Sequence, residues 1–134
     1  MKLTADDTRL TVDWRWQLAQ RVVASPGFEK STRLRAFLLY VTEKALQEHS
    51  EEVTEQQIGM HVFGRPAGYD SGSDNVVRTQ ARLLRTRLEQ YFATEGTGET
   101  TTIVIPKGAY LPSFVERPAT HRPRRAAISI SANT

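Results

Sequence analysis

The stretch from Asp74 to Thr94, DNVVRTQARLLRTRLEQYFAT, predicts one long amphipathic helix and sets the expected fold. Its apolar residues recur at the three- and four-residue spacing of a single helix face: Val77, Ala81, Leu84, Leu88 and Tyr91. Ser73 or Asp74 is a suitable N-terminal cap, and Gly96 follows the end of the pattern. The opposite face carries arginines, so we expect this helix to lie on the surface with a basic side outward.

Three shorter helices are predicted on the N-terminal side of this segment. Thr11 to Ala24 has helical spacing and stops at Ser25-Pro26-Gly27. A second helix is expected from Ser31, its N-terminal cap, to about His49. Its apolar stripe marks it as core: Leu34, Phe37, Leu38, Val41 and Ala45. The third helix begins with a Thr54–Gln57 capping box and ends at Gly64.

After Gly96 the hydrophobic period changes from that of a helix to that of a strand. Thr100 to Ile105 is rich in β-branched residues, Ala109 to Val115 is the expected return strand, and Pro106-Lys107-Gly108 supplies the turn. The predicted fold class is therefore mainly α with a C-terminal β-hairpin. Four helices followed by a two-stranded wing, in this order, are typical of a winged helix-turn-helix.

The chain of 134 residues is long enough for one domain with a sizeable core. We expect a flexible arm over residues 1–10, a winged helix-turn-helix domain over 11–116 and a basic, proline-containing tail or linker over 117–134. The net charge is +3, but the tail holds four arginines and no acid, which leaves 14 basic and 15 acidic side chains over residues 1–116. Nucleic-acid binding would therefore depend on where the cations lie.

Composition argues against several other classes of protein and site. Cysteine is absent, so no disulfide framework or thiolate metal site is expected, and a cytoplasmic location suits the chain. The sequence contains no run of about 18 apolar residues, the length needed to span a bilayer, and its N-terminus has no apolar signal core. His49, His61 and His121 fall on different elements, so we expect no metal site and no cofactor. An enzyme is not expected either, because no phosphate-binding glycine loop or nucleophile–base set is present.

The outward face of the long helix carries the side chains expected to contact DNA. N-terminal positions of a recognition helix usually approach the bases most closely, so base contacts are assigned to four residues: Asn75, Arg78, Thr79 and Arg82. Four residues farther along, or on the wing, are assigned to the DNA backbone: Arg85, Thr86, Arg87 and Lys107. A merely solvated face is the competing interpretation, because arginine favours helices and Arg85 with Glu89 is an ordinary i, i+4 pair.

Four segments resemble the C-terminal effector domains of OmpR/PhoB-type response regulators: Thr54–Ile58, Val62–Gly64, Val76–Arg78 and Leu84–Glu89. Ile103–Tyr110 is similar to the wing of that family. The pattern from Ile58 to Pro66 also resembles N-terminal winged-helix modules that some bacterial regulators attach to adenylate cyclase, tetratricopeptide or other sensory regions. The resemblance implies a bacterial DNA-binding module. Residues 11–24 depart from it, because the response-regulator domain opens with a small antiparallel sheet.

The expected function is sequence-specific binding of double-stranded DNA by a transcriptional regulator, acting on paired half-sites as a homodimer. An attached sensory region is a further expected partner if the natural chain is longer. Trp14 is the candidate dimer or partner contact, because Trp14 and Trp16 point to different sides of the first helix. The alternative is a winged helix used only as a protein–protein adaptor. RNA binding is disfavoured, because Tyr110 and Phe114 are predicted to face the core and not to stack on bases.

Overall fold

The computed structural model describes residues 5–118. They form six α-helices, one turn of 3-10 helix (Ser50–Glu52) and two strands. The α-helices are α1 (Ala5–Val12), α2 (Trp14–Val23), α3 (Pro26–Glu29), α4 (Thr32–Leu46), α5 (Glu55–His61) and α6 (Val76–Ala93), and the strands are β1 (Thr101–Val104) and β2 (Ser113–Glu116). The prediction of a mainly helical chain that ends in a β-hairpin is confirmed. None of the described helices has the length and apolar character needed to cross a membrane.

Two helices occupy the N-terminal region where the sequence predicted an arm and a single helix. Because α1 covers residues 5–12, the prediction of an arm over residues 1–10 is wrong for its second half. The break lies at Asp13, whose backbone is extended and whose carboxylate accepts the Arg15 backbone N–H at 2.9 Å. Such an aspartate caps a helix by supplying an acceptor for a free N–H group. The next helix therefore begins at Trp14, not at Thr11.

The boundaries of α3 and α4 also differ from the predicted ones. Pro26 occupies the first position of α3, an extra turn in the segment predicted only to stop a helix. Ser31 precedes α4 as predicted, but its hydroxyl does not cap that helix; it accepts a hydrogen bond from Arg87. α4 ends at Leu46, because Glu48 adopts a φ of 62° and turns the chain out of the helix. Six helices thus replace the predicted four.

The start and end of α5 follow the predicted signals. The Thr54 hydroxyl accepts the Gln57 backbone N–H at 3.2 Å, which is one half of a capping box. The Gln57 side chain is instead hydrogen-bonded to His61. Beyond the helix, Gly64 has a φ of 70°, the left-handed conformation that glycine adopts without steric cost. A loop over residues 62–75 then leads to α6.

The β-hairpin has shorter strands than predicted. The sequence indicated strands over residues 100–105 and 109–115, but residues 105–112 form the loop between antiparallel β1 and β2. Pro106 and Pro112 lie in this loop and lack the backbone N–H that a strand ladder needs. The loop is consequently long enough to extend beyond the sheet.

One apolar core joins the helices to the hairpin. Phe37 and Leu38 of α4 and Leu84 of α6 are fully buried in it. From the sheet, Ile103 is buried, and its cross-strand partner Phe114 packs against the core as predicted. All five residues predicted to hold α6 to the core are buried: Val77, Ala81, Leu84, Leu88 and Tyr91. This packing determines which face of α6 remains available to other molecules.

Candidate nucleic-acid interface

A groove of about 1240 Å³ runs between the exposed face of α6 and the β-hairpin. Six of its polar and charged lining residues come from α6 and from the hairpin loop: Arg78, Arg82, Arg85, Thr86, Glu89 and Lys107. Five of the eight residues predicted to contact DNA therefore line one concave surface. This surface is the candidate interface.

Arg82 and Lys107 present positive charge to the groove. Arg82 is exposed in the middle of α6, and Lys107 is exposed in the hairpin loop beside Gly108, whose φ of 81° forms the turn. Within residues 9–118, neither cation has a hydrogen-bond or ion-pair partner. Because these donors are not used inside the described structure, they are available to a phosphate or to a base edge.

Arg85 connects the hairpin loop to α6. Its Nε donates to the Ile105 carbonyl at 2.8 Å, and its Nη2 donates to the carbonyls of Pro106 at 3.2 Å and Ala109 at 3.1 Å. Sequence reasoning assigned Arg85 to the DNA backbone and missed this role, because the three carbonyls lie 20 to 24 residues away. These bonds set the position of Lys107 relative to α6.

Arg78 is engaged by the segments that precede α6. Its Nη1 donates to the Glu55 carboxylate and, at 3.0 Å, to the Ser71 carbonyl. Tyr69 donates its hydroxyl to the Glu55 carbonyl at 3.2 Å. Glu55 is thus a site residue that the sequence did not reveal, since no local pattern links it to an arginine 23 positions away.

Arg87 lies on a different side of α6. Its Nη1 donates to the Gly27 carbonyl at 2.7 Å and to the Ser31 hydroxyl at 2.8 Å, where α3 meets α4. Successive helical residues are about 100° apart, so Arg87 points roughly 200° away from Arg85. Arg87 therefore does not line the groove that Arg85 and Lys107 line, and its contact with the DNA backbone stays a prediction.

The other predicted contacts on α6 differ in exposure. Asn75 is exposed just before the helix and makes no side-chain capping bond. Thr79 is half-buried one turn later, and neither residue lines the groove. Thr86 does line it, and its hydroxyl donates to the Arg82 carbonyl at 3.2 Å. DNA contact by these three residues stays a prediction.

The first turn of α6 is closed by an acid. Asp74 accepts the Val76 backbone N–H at 3.1 Å through one carboxylate oxygen and the Arg65 Nε–H at 2.7 Å through the other. The hydrogen bond from Arg65 is the main reason why the pKa of Asp74 lies below its ordinary value. A charged carboxylate at this position interacts favourably with the dipole of α6. The N-terminal end of the helix is therefore already occupied by an anion and is not a site for a phosphate.

A small apolar surface lies apart from the groove lining, at the junction of α1 and α2. Val12 is 70% exposed and Trp14 is 55% exposed, and the Trp14 ring meets Phe114 edge-on with centroids 6.1 Å apart. Trp16 is half-buried. Trp14 is therefore the more exposed tryptophan, and its contact with a partner stays a prediction.

One group of side chains has the composition of a metal site. Ligand atoms of His49, Glu51 and Glu52 lie within 4.8 Å of one another. Lys44 Nζ is 3.3 Å from a Glu52 carboxylate oxygen, and His49 Nδ1 is 3.6 Å from the other. Within this group, Lys44 forms an ion pair with Glu52.

Comparison with protein-family models, with curated protein sequences and with solved structures found no match to this chain. The proposal of function therefore depends on the groove, on the two cations there that have no partner in the described part of the chain, and on the position of the hairpin.

Proposed function

We propose that this chain is a winged helix-turn-helix module that binds double-stranded DNA for a cytoplasmic bacterial transcriptional regulator. In this proposal α6 enters the major groove, and the hairpin reaches the adjacent backbone or minor groove as a wing. One observation carries it: Arg82 on the helix and Lys107 on the hairpin loop line the same groove, and neither side chain has a partner among residues 9–118.

The dimensions and side-chain chemistry support this assignment. α6 has 18 residues, about 27 Å of helix, and a helix fits a major groove about 12 Å wide. Arg82 has all five N–H donors available within the described structure and suits bidentate bonding to guanine O6 and N7. Lys107, a point charge on the loop, suits a phosphate.

The proposal is tested by binding of random and selected duplexes over a range of salt concentrations. Wild-type affinity should fall linearly on a log–log plot against salt. Arg82→Ala should cost about 1–3 kcal/mol on the selected duplex and relax the preference at one base pair. Lys107→Ala should weaken all duplexes about equally and reduce the salt slope by about 1.

Lys30→Ala is the matched control, because Lys30 is exposed between α3 and α4 and does not line the groove. It should leave the salt slope unchanged. Absence of salt-sensitive binding by the wild type would contradict DNA binding altogether. Equal losses in Lys30→Ala and Lys107→Ala would show instead that only total charge matters.

The exposed Val12–Trp14 surface supports a protein partner in addition. In the DNA-binding proposal this partner is a second copy of the chain, since a dimer reads paired half-sites. In the alternative proposal the chain is an adaptor that docks through this surface and binds no DNA. Trp14→Ala should weaken dimerisation in sedimentation experiments under the first proposal, whereas under the second Arg82→Ala should leave every binding activity of the chain intact.

A further inference from the structure

The geometry points to Glu55 as a positioning residue that determines which edge of Arg78 meets a base pair. This inference rests on the proposed function and deepens it. It arises from an unusual arrangement: an acid from α5 contacts an arginine that lines the same groove as Arg82.

Counting the donors of Arg78 shows which edge remains available. A guanidinium has five N–H groups in a planar fork, two on each terminal nitrogen and one on Nε. Both hydrogens of Nη1 are used, one by the Glu55 carboxylate and one by the Ser71 carbonyl at 3.0 Å. The Nε and Nη2 hydrogens have no acceptor within residues 9–118. They form one edge of the fork, which is the geometry that contacts guanine O6 and N7 together.

Glu55 is itself held in place by the neighbouring loop. Its carbonyl accepts the Tyr69 hydroxyl, and its side chain is only 23% exposed. The Tyr69 ring packs over Gly59 of α5, where a side chain would leave no room for it. The acceptor that orients Arg78 therefore belongs to a packed part of the molecule and not to a mobile surface chain.

Arg78 and Arg82, which both line the groove, consequently differ in their freedom. The Arg82 side chain has no partner within the described structure and can turn toward a base or a phosphate. Arg78 has its plane set before DNA arrives, so its free edge can form paired hydrogen bonds in one direction only. An oriented fork discriminates between bases, because a base without this pair of acceptors leaves at least one of the two donors unsatisfied. The expected ligand of Arg78 is a guanine in the major groove.

Competition binding with single-base-pair variants of the selected duplex, on the full chain at one salt concentration, tests this role. The wild type should prefer guanine at one position by on the order of ten-fold. Glu55→Ala should lose most of this preference while binding unrelated duplexes more tightly, because a negative charge has gone. Glu55→Gln should retain the preference, since the amide oxygen still accepts from Nη1. Arg78→Lys keeps the positive charge but has no guanidinium fork, and it should lose the preference for guanine.

Glu89→Gln is the matched control for charge. Glu89 lines the same groove and has no bond to Arg78. This variant should raise affinity for all duplexes and leave the guanine preference as in the wild type. A change in preference equal to that of Glu55→Ala would overturn the inference, because general electrostatics would then explain both.

A second measurement needs no DNA. Side-chain ¹⁵Nε relaxation of the free protein should show Arg78 ordered and Arg82 mobile, with an order parameter below about 0.6 for Arg82. Glu55→Ala should make Arg78 as mobile as Arg82. Equal mobility of the two arginines in the wild type would overturn the inference.

Failure of the inference is distinguishable from failure of the proposed function. If the wild type binds DNA selectively and Glu55→Ala keeps every base preference, Glu55 only joins α5 to α6 and the inference alone is overturned. If the wild type binds no DNA, both are overturned. If Glu55→Ala unfolds at the assay temperature, Glu55→Gln and Arg78→Lys decide the question. The preference for guanine must then persist in Glu55→Gln and vanish in Arg78→Lys.

Discussion

Glu48 shows how a single residue ends a helix at a steric cost. Its φ is 62°, and no other non-glycine residue in the described chain has a positive φ. The turn is held by hydrogen bonds from the Glu48 N–H to the Ala45 carbonyl at 3.2 Å and from the His49 N–H to the Lys44 carbonyl at 2.8 Å. These bonds satisfy carbonyls at the end of α4, while the left-handed conformation of a residue with a Cβ costs about 1–2 kcal/mol.

Glu48→Gly should stabilise the protein by about 0.5–1 kcal/mol, because relief of this conformation exceeds the extra unfolded-state entropy of glycine. The free energy of unfolding in urea measures the effect. Glu43→Gly makes the same change inside α4, at a right-handed position, and should cost about 1 kcal/mol. Equal destabilisation by the two variants would refute the strain at Glu48.

At the scale of elements, the loop over residues 62–75 is bound closely to α5. A Cβ built on Gly59 would lie 1.9 Å from the Tyr69 hydroxyl oxygen, so the ring rests directly on the helix backbone. The Tyr69 carbonyl accepts a hydrogen bond from Gln56 Nε2 at 2.9 Å, and its hydroxyl donates to the Glu55 carbonyl. One tyrosine thereby orders a loop whose composition predicts only irregular structure.

Gly59→Ala should therefore destabilise the protein by about 1–3 kcal/mol, because the tyrosine ring must move away from α5. Gly27→Ala is the matched control in α3, where the nearest atom to the new Cβ, Glu95 Oε1, is 3.9 Å away. That substitution should stabilise by up to about 1 kcal/mol through helix propensity. Thermal unfolding of both variants gives the comparison, and a stabilising Gly59→Ala would disprove the close packing.

At the scale of the whole molecule, charged side chains join segments that are far apart in the chain. Arg21 of α2 forms two hydrogen bonds with Glu99, 78 residues away, at 2.8 and 2.9 Å. Arg117, which the sequence placed at the start of the tail, donates to the carbonyls of Phe92 and Gly96 at the end of α6. The rest of the predicted tail, from residue 119 onward, lies outside the described residues.

The Arg21–Glu99 pair gives a testable dependence of stability on pH. The pKa of Glu99 lies below its ordinary value of 4.5, chiefly because of the hydrogen bond from Arg21. A carboxyl group with a lowered folded-state pKa stabilises the protein above about pH 4.5, and this stability is lost as the pH falls through the folded-state pKa. At neutral pH the free energy of unfolding should therefore be higher for wild type than for Glu99→Gln. The difference should be less than about 1 kcal/mol, because Arg21 is largely exposed.

The difference between wild type and Glu99→Gln should shrink as thermal melts are taken from about pH 7 to progressively lower pH below about 4.5. Glu51→Gln, which removes an exposed acid with no ion-pair partner in the described structure, is the matched control for the loss of one carboxylate. A gap between wild type and Glu99→Gln that persists at low pH would argue against the ionic origin.

Local periodicity predicted which residues are buried but not which residues the arginines contact. Val77 and Leu84 follow a rule that needs only helical spacing, and both are buried. The partners of Arg85 and Arg87 are carbonyls on the hairpin and on α3, and no spacing rule brings those segments together. The sequence likewise could not show that Asp13 caps a helix, because an aspartate within a helical pattern is a cap only when its backbone is extended.

The attachment of the hairpin to α6 by Arg85 has a consequence for the course of association. If the chain binds a duplex as proposed, docking does not have to order the loop, because three hydrogen bonds already hold it. Encounters that fold a segment carry an unfavourable entropy and a large negative heat-capacity change, whereas preformed surfaces shift by about 1 Å or less. Calorimetry should accordingly find a small heat-capacity change, and stopped-flow traces a single, salt-controlled phase without a slow conformational step.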